Sequence, residues 1–282
     1  MNRNDLEKII RDALAEDIGS GDITTSAIVG SELKGKGEFL AKQNGIVAGL
    51  EIVEILLNIV DPKLIFNKRI DDSEKIQSGE IIAEVEGKAS SILTAERTAL
   101  NFLQRMSGIA TITHQYIEKI KHTKTKILDT RKTVPGLRTL DKLAVKIGGG
   151  TNHRIGLYDM FLIKDNHIAV AGSITKAVKL CKEFNQKNNS HFKIEVETEN
   201  LKQVEEALNC NIDFIMLDNF QLSELKKAVE FIGGKCLTEA SGGIDLNTVK
   251  DIAETGVDFI SVGALTHSVK ALDISLEVKI SE

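Results

Sequence analysis

The sequence predicts an α/β fold built around a parallel sheet. From residue 126 onward, short apolar runs alternate with amphipathic stretches. Matching points in the last four runs recur at intervals of about 20 to 23 residues, the length of one βα unit. Each run also ends in polar or charged residues, at the end of a parallel strand where barrels carry their ligands. Six such strands are legible where a full barrel has eight, and the count alone leaves open how the barrel closes. Before residue 126, glycine-punctuated strand-like runs around a helical segment predict an α+β sandwich.

The elements follow in order. Leu6, Ile9, Ile10, Ala13 and Leu14 fall at spacings of three and four, one apolar helix face. Strand-like runs at 37–41, 64–67 and 80–85 surround a helix at 51–59. Ser90 or Ser91 opens a long helical region, which Gly108 is expected to interrupt before 116–121 resumes it. The later strands are expected at 126–129, 161–164, 193–197, 214–218, 235–239 and 259–262. Helices are expected near 174–184, 201–208, 222–231 and 248–254. No G-x-G-x-x-G follows the first strand of a βα unit, which argues against a dinucleotide-binding sheet.

The 282 residues are 42% hydrophobic and 27% charged, ordinary for a folded domain, and the net charge of −5 argues against a nucleic-acid partner. The sequence contains no apolar stretch of the roughly 20 residues that spans a bilayer, and its first residues lack a signal-peptide core, so no membrane association and a cytoplasmic location are expected. Cys181, Cys210 and Cys236 are scattered and form no metal or redox motif.

Charge collects in one place. Between Lys126 and His167 stand eight basic residues and four acids, +4 within a chain of −5. Lys142, Lys146 and Arg138 are read as a solvated helix face. Thr130, Arg131, Lys132, His153, Arg154 and Lys164 instead sit beside strand ends or the Gly148–Gly150 turn. Arg grips a carboxylate or phosphate with two parallel hydrogen bonds and Lys adds a point charge. Several such donors at one mouth fit a ligand with two or more anionic groups. Ser241-Gly242-Gly243 and Val262-Gly263-Ala264 follow the last two strands, where barrels favour phosphate. Glu197 and Asp218 end neighbouring strands and are candidates for a metal, ribose hydroxyls or a developing cation. Glu195, two residues before Glu197, points to the same face, so that face must be polar.

Taken together, these stretches resemble the quinolinate phosphoribosyltransferase family, the carboxylating nicotinate-nucleotide pyrophosphorylases. The matching strings are Glu16 through Thr25, Ala95-Glu96-Arg97-Thr98-Ala99-Leu100-Asn101, Thr130 through Arg138 and Gly148 through Arg154. Lys164-Asp165-Asn166-His167, Glu195-Val196-Glu197, Leu217-Asp218-Asn219-Phe220, Glu239 through Gly243 and Val262 through His267 complete the series. They cover nearly the whole chain, in order.

The resemblance implies an N-terminal α/β sandwich domain (1–107), an incomplete TIM-like α/β barrel (108–269) and a tail (270–282) returning to the first domain. It implies transfer of phosphoribosyl from phosphoribosyl pyrophosphate to quinolinate with Mg²⁺, releasing pyrophosphate and CO₂, as a step towards NAD. It also implies a homodimer or assembly of dimers, with Arg97 reaching a neighbour's site. Arg131, His153, Arg154 and Lys164 would hold the ring carboxylates. Lys132 would contact the pyrophosphate or one carboxylate. Glu197 and Asp218 would bind ribose and Mg²⁺. Ser241, Gly242, Gly243, Val262, Gly263 and Ala264 would hold the 5′-phosphate. Lys132, Lys164, Glu197 and Asp218 form the expected catalytic set, and no organic cofactor is required. The alternatives are a related phosphoribosyltransferase acting on another acidic ring, and a non-catalytic phosphosugar or nucleotide sensor.

Overall fold

The computed structural model describes residues 3–280. In chain order the elements are α1 (Arg3–Ile18), α2 (Ile23–Ile28), β1 (Lys34–Ala41), β2 (Gly45–Ile46), α3 (Leu50–Val60), β3 (Ile65–Lys68), β4 (Lys75–Ile76), β5 (Ile81–Lys88) and α4 (Ala89–Ile120). Then come β6 (Lys126–Leu128), α5 (Arg138–Ile147), β7 (Phe161–Ile163), α6 (Asp165–Ala171), α7 (Ile174–Lys187), β8 (Ile194–Thr198) and α8 (Leu201–Leu208). The chain ends with β9 (Phe214–Asp218), α9 (Leu222–Ile232), β10 (Leu237–Ser241), α10 (Val249–Ala253), β11 (Phe259–Ser261), α11 (Ala264–His267) and β12 (Ile274–Ile280). These elements group into two compact units. One holds the described residues up to His114, Val134–Gly149 and those from Ser268 on, and the other holds Gln115–Thr133 and Gly150–His267.

In the first unit, a four-stranded antiparallel sheet runs in the order β12-β1-β5-β3. Burial alternates strictly along β1, so one face of the strand is buried and the other is wetter. The C-terminal strand β12 pairs with β1 from Gly35↔Ile280 to Ala41↔Ile274. Helix α1 buries Leu6, Ile10 and Leu14, the stripe its spacing predicts. Asp22 caps α2, its Oδ1 accepting the Thr25 N–H at 2.9 Å.

Two expectations fail in this unit. Helix α4 is a single 32-residue helix with no break at Gly108. A Cβ at Gly108 would lie 2.3 Å from the Lys270 carbonyl, so glycine is there to admit a neighbouring backbone rather than to end a helix. Lys142 does not face solvent with Lys146. It is 3% exposed, next to Asp141, whose buried carboxylate takes two 2.8 Å bonds from Arg105. Fully buried Leu140, Ala144 and Val145 make this the inward face of α5.

The second unit carries six parallel strands in the order β6-β11-β10-β9-β8-β7, an incomplete α/β barrel that the ladder does not close. Thr151 bridges Leu128 and extends the β6 edge by one rung. Helices α7 to α10 alternate with the strands. Ser173 and Asn200 cap α7 and α8 by accepting the Lys176 and Gln203 N–H groups, each at 3.1 Å. Alternate strand residues Val196, Leu217, Ala240 and Ile260 are buried apolar. The residues between them face a polar interior. β10 begins at Leu237 rather than 235, because α9 runs on to Ile232 and is capped by left-handed Gly233.

Candidate active site

A cavity of about 810 Å³ opens at the C-terminal ends of the six parallel strands. Its lining shows the period of a strand. Leu162 and Lys164 come from the β7 end, and Glu197 from β8. Met216 and Asp218 come from β9, and Glu239 and Ser241 from β10. Ser261 and Gly263 come from the β11 end. Residues two apart share a face, so β7, β9, β10 and β11 each bring two alternate positions to one space.

The cavity gathers Thr130, Arg131, Lys132, His153, Arg154, Lys164, Glu197, Asp218, Ser241, Gly242, Gly243, Val262, Gly263 and Ala264. Of the residues singled out from sequence for the site, two are absent from the lining: Glu195, fully buried on β8, and Arg97. Arg97 is exposed on α4, within the first unit. Cations enter from the two edge strands, Arg131 and Lys132 after β6 and Lys164 after β7. The glycine loops and carboxylates follow the four strands between.

Local structure fixes the cationic edge. Asp129, fully buried at the end of β6, accepts the His153 N–H at 2.9 Å and the Asn152 amide at 2.5 Å. These bonds pin the turn that delivers His153 and Arg154. The Arg154 guanidinium donates to the Met160 carbonyl at 3.1 Å. Burial, and then the like charge of Arg131, pull its pKa below the ordinary value. Both side chains line the one cavity, where a bound anion would relieve that repulsion. The Asp159 carboxylate closes the intervening loop on the Ile155 and Gly156 N–H groups at 2.7 and 2.9 Å. Lys164 precedes a helix the sequence did not suggest, α6, and its Nζ sits 2.5 Å from Glu197 Oε2.

At the other end of the site, Asn219 adopts a left-handed backbone (φ 57°). Its N–H donates to the Ser241 carbonyl at 2.9 Å, and its Nδ2 donates to Asp218 Oδ2 at 2.7 Å. A Cβ at Gly242 (φ 96°) would lie 2.2 Å from Asn219 Oδ1, so both φ and the close approach of Asn219 demand glycine in this turn.

Below these groups lies a cluster that sequence reasoning did not assemble. His153 Nε2 is 3.0 Å from Glu195 Oε2 and 3.4 Å from Glu239 Oε2, and its Nδ1 accepts the Arg154 N–H at 2.7 Å. Burial opposes charge on the ring, but the two carboxylates outweigh it and push its pKa up to about 10. Burial and Glu239 push Glu195 itself up to about 7. The trio therefore keeps an extra proton at neutral pH. Nδ1 accepts from the Arg154 N–H, so the proton-bearing ring nitrogen is Nε2, facing the two acids. The available signal was periodicity: Glu195 precedes Glu197 by two, and Glu239 precedes Ser241 by two. No cysteine lines the cavity, and burial raises the Cys181 thiol pKa and, with Asp258, that of Cys236 to about 11, the opposite of an activated nucleophile.

Two strand-end carboxylates could serve a divalent cation. Glu197 and Asp218 each give one oxygen to a neighbour, Lys164 and Asn219, and carry a second. One or two carboxylates completed by substrate oxygens and water is how Mg²⁺ is usually held. The His153-Glu195-Glu239 trio, with ligand atoms within 4.8 Å of one another, is a second group of metal-ligating type.

Known proteins match throughout. The model for the N-terminal domain of quinolinate phosphoribosyl transferase matches residues 22–107, and that for its C-terminal domain matches residues 109–277. The chain is 47% identical to quinolinate phosphoribosyltransferase [decarboxylating] 1b of Nicotiana tabacum, with 97% of this chain and 82% of that protein covered. It is 44% identical to a probable nicotinate-nucleotide pyrophosphorylase [carboxylating] of Bacillus subtilis, over 100% of this chain and 96% of that one. Among solved structures, the nicotinate-nucleotide pyrophosphorylase of Francisella tularensis superposes with a TM-score of 0.92 at 41% identity, covering 99% and 98% of the two chains. On both domains and over its length, this chain belongs to the quinolinate phosphoribosyl transferase family.

Proposed function

We propose that this chain transfers the phosphoribosyl group of phosphoribosyl pyrophosphate to the ring nitrogen of quinolinate, with loss of CO₂, giving nicotinate mononucleotide and pyrophosphate. The observation that carries the reading is the single cavity in which Arg131, Arg154 and Lys164, two strand-end carboxylates and two glycine loops meet. Quinolinate brings two carboxylates on one ring, and Arg131 and Arg154, with Lys164, are the cations to hold them. The 5′-phosphate fits the backbone N–H groups of Ser241–Gly243 and Val262–Ala264. Lys132 is the residue for the leaving pyrophosphate. Its departure leaves positive charge on the ribose, which Glu197 and Asp218 stabilise from neighbouring strands. Glu197 and Asp218 would also hold Mg²⁺, which when bound neutralises pyrophosphate charge.

After transfer, the pyridinium nitrogen is the sink for the electron pair left at C2 as CO₂ departs. The protein's part is to hold that carboxylate in place. Nicotinate mononucleotide and CO₂ should form from quinolinate, phosphoribosyl pyrophosphate and Mg²⁺ with purified protein. Absence of product at every Mg²⁺ concentration would sink the reading, and turnover of another acidic ring alone would favour a relative of different specificity.

The working form we propose is a homodimer, in the cytoplasm, with Arg97 of one copy completing the partner's site. Leu157, Tyr158 and Val170 of the second unit are 74%, 71% and 91% exposed, an apolar display that a second copy would cover. No helix of the described residues is long and apolar enough to cross a membrane. Mixing inactive Arg97→Ala with inactive Lys164→Ala should restore about a quarter of wild-type activity, because half of randomly paired dimers regain one intact site. Failure to recover any activity from re-formed mixed dimers would place Arg97 in its own subunit.

A further inference from the structure

We infer that Glu195 and Glu239 are positioning residues for the ring-carboxylate clamp: they lock the His153 ring, and through its Nδ1 the backbone of Arg154. This rests on the proposed reading of that clamp.

The two acids come from β8 and β10, on either side of β9, and are 0% and 1% exposed. Each turns its Oε2 to the same His153 Nε2, while Glu195 Oε1 and Glu239 Oε1 are buried without a hydrogen-bond partner among the described residues. Two buried carboxyl groups that each leave one oxygen without a partner carry an uncompensated desolvation cost, so as a purely structural device the pair is a poor one. Replacing it by groups of the same shape and no charge should leave the fold as stable or more so.

What the pair does secure is direction. His153 is bracketed on every polar edge: its own N–H is held by Asp129, Nε2 by the two acids, and Nδ1 meets the Arg154 N–H. Both ring nitrogens are therefore spent on protein. In this conformation the ring acts as a strut between the two acids and the residue that carries a clamp guanidinium, and Arg154 is the group that meets the anion. A strut without its footing lets Arg154 drift, and drift of an ångström in a positioning group is felt strongly.

The test compares full-length wild type with Glu195→Gln/Glu239→Gln and with Glu239→Gln alone. Both are followed by thermal unfolding and by separate KM measurements for quinolinate and phosphoribosyl pyrophosphate, with Arg131→Ala as the reference. The double variant should melt at or above the wild-type temperature, raise KM for quinolinate about tenfold and leave KM for phosphoribosyl pyrophosphate within about twofold. The single variant, which keeps one carboxylate on Nε2, should show a smaller shift of the same pattern. An unchanged quinolinate KM in a folded variant overturns the inference. So does a fall in melting temperature, or loss of folding, that accompanies equal losses for both substrates, since that is what a structural pair predicts. If Arg131→Ala also leaves the quinolinate KM untouched, the clamp reading itself has failed. If only the glutamine variants do so, the positioning role alone has failed.

Discussion

Arg131→Ala should lower kcat/KM for quinolinate by about a hundredfold to a thousandfold while leaving KM for phosphoribosyl pyrophosphate almost unchanged. Arg131 follows β6, half-buried, and bears on Arg154 closely enough to disfavour its charge. The two guanidinium groups repel each other in the free protein, and on the proposed reading a dicarboxylate held by both would turn that cost into binding. Removing one takes away up to two charge-assisted hydrogen bonds and leaves a substrate carboxylate desolvated without its partner. That costs about 3 to 4 kcal/mol, and each 1.4 kcal/mol is tenfold. Arg131→Lys should recover little, because an ammonium keeps the charge but not the paired donors. Relief of repulsion should also leave the variant as stable as the wild type. Quinolinate saturation curves with phosphoribosyl pyrophosphate held in excess would measure the effect. Activity within about fivefold of wild type would remove Arg131 from the clamp.

The parts of this site that were legible in the sequence are those where a strand leaves the core. A buried apolar run that ends in a charge has one physical meaning, and five such endings, with Ser261 on the sixth strand, define one rim. The helix stripe of α1 and the βα rhythm are legible for the same reason: one residue's environment is set by neighbours at a fixed spacing. The misread features depend on remote chain. Gly108 resembles a helix breaker until the Lys270 backbone is seen against it. Lys142 resembles a solvent lysine until Asp141 and Arg105 are seen beneath the same helix. Glu195 and Glu239 are 44 positions apart. Nothing local distinguishes a strand glutamate that meets His153 from one at the rim, and only sheet order makes the pair.

The acidic side of the cavity should respond in the opposite kinetic sense. Asp218→Asn is expected to reduce kcat about a hundredfold to a thousandfold, with KM for quinolinate little changed, as befits a group needed most where positive charge develops. The substitution preserves size, so the turn between β9 and the Ser241–Gly243 loop should survive. The Asn219 N–H bond to the Ser241 carbonyl does not involve the changed atoms, and an amide oxygen can still accept from Asn219 Nδ2. What is lost is the full negative charge two residues beyond Met216, beside a glutamate already shared with Lys164. A neutral oxygen there stabilises neither the ribosyl cation nor a divalent ion as a carboxylate does. The Mg²⁺ concentration giving half-maximal rate should rise with the fall in kcat, while the melting temperature of the protein alone stays near wild type. Steady-state rates across a Mg²⁺ series separate the possibilities. If kcat holds and only KM for phosphoribosyl pyrophosphate rises, Asp218 binds substrate without serving the transition state. If the quinolinate KM rises instead, the division of the cavity into a cationic clamp and an acidic ribose side is wrong.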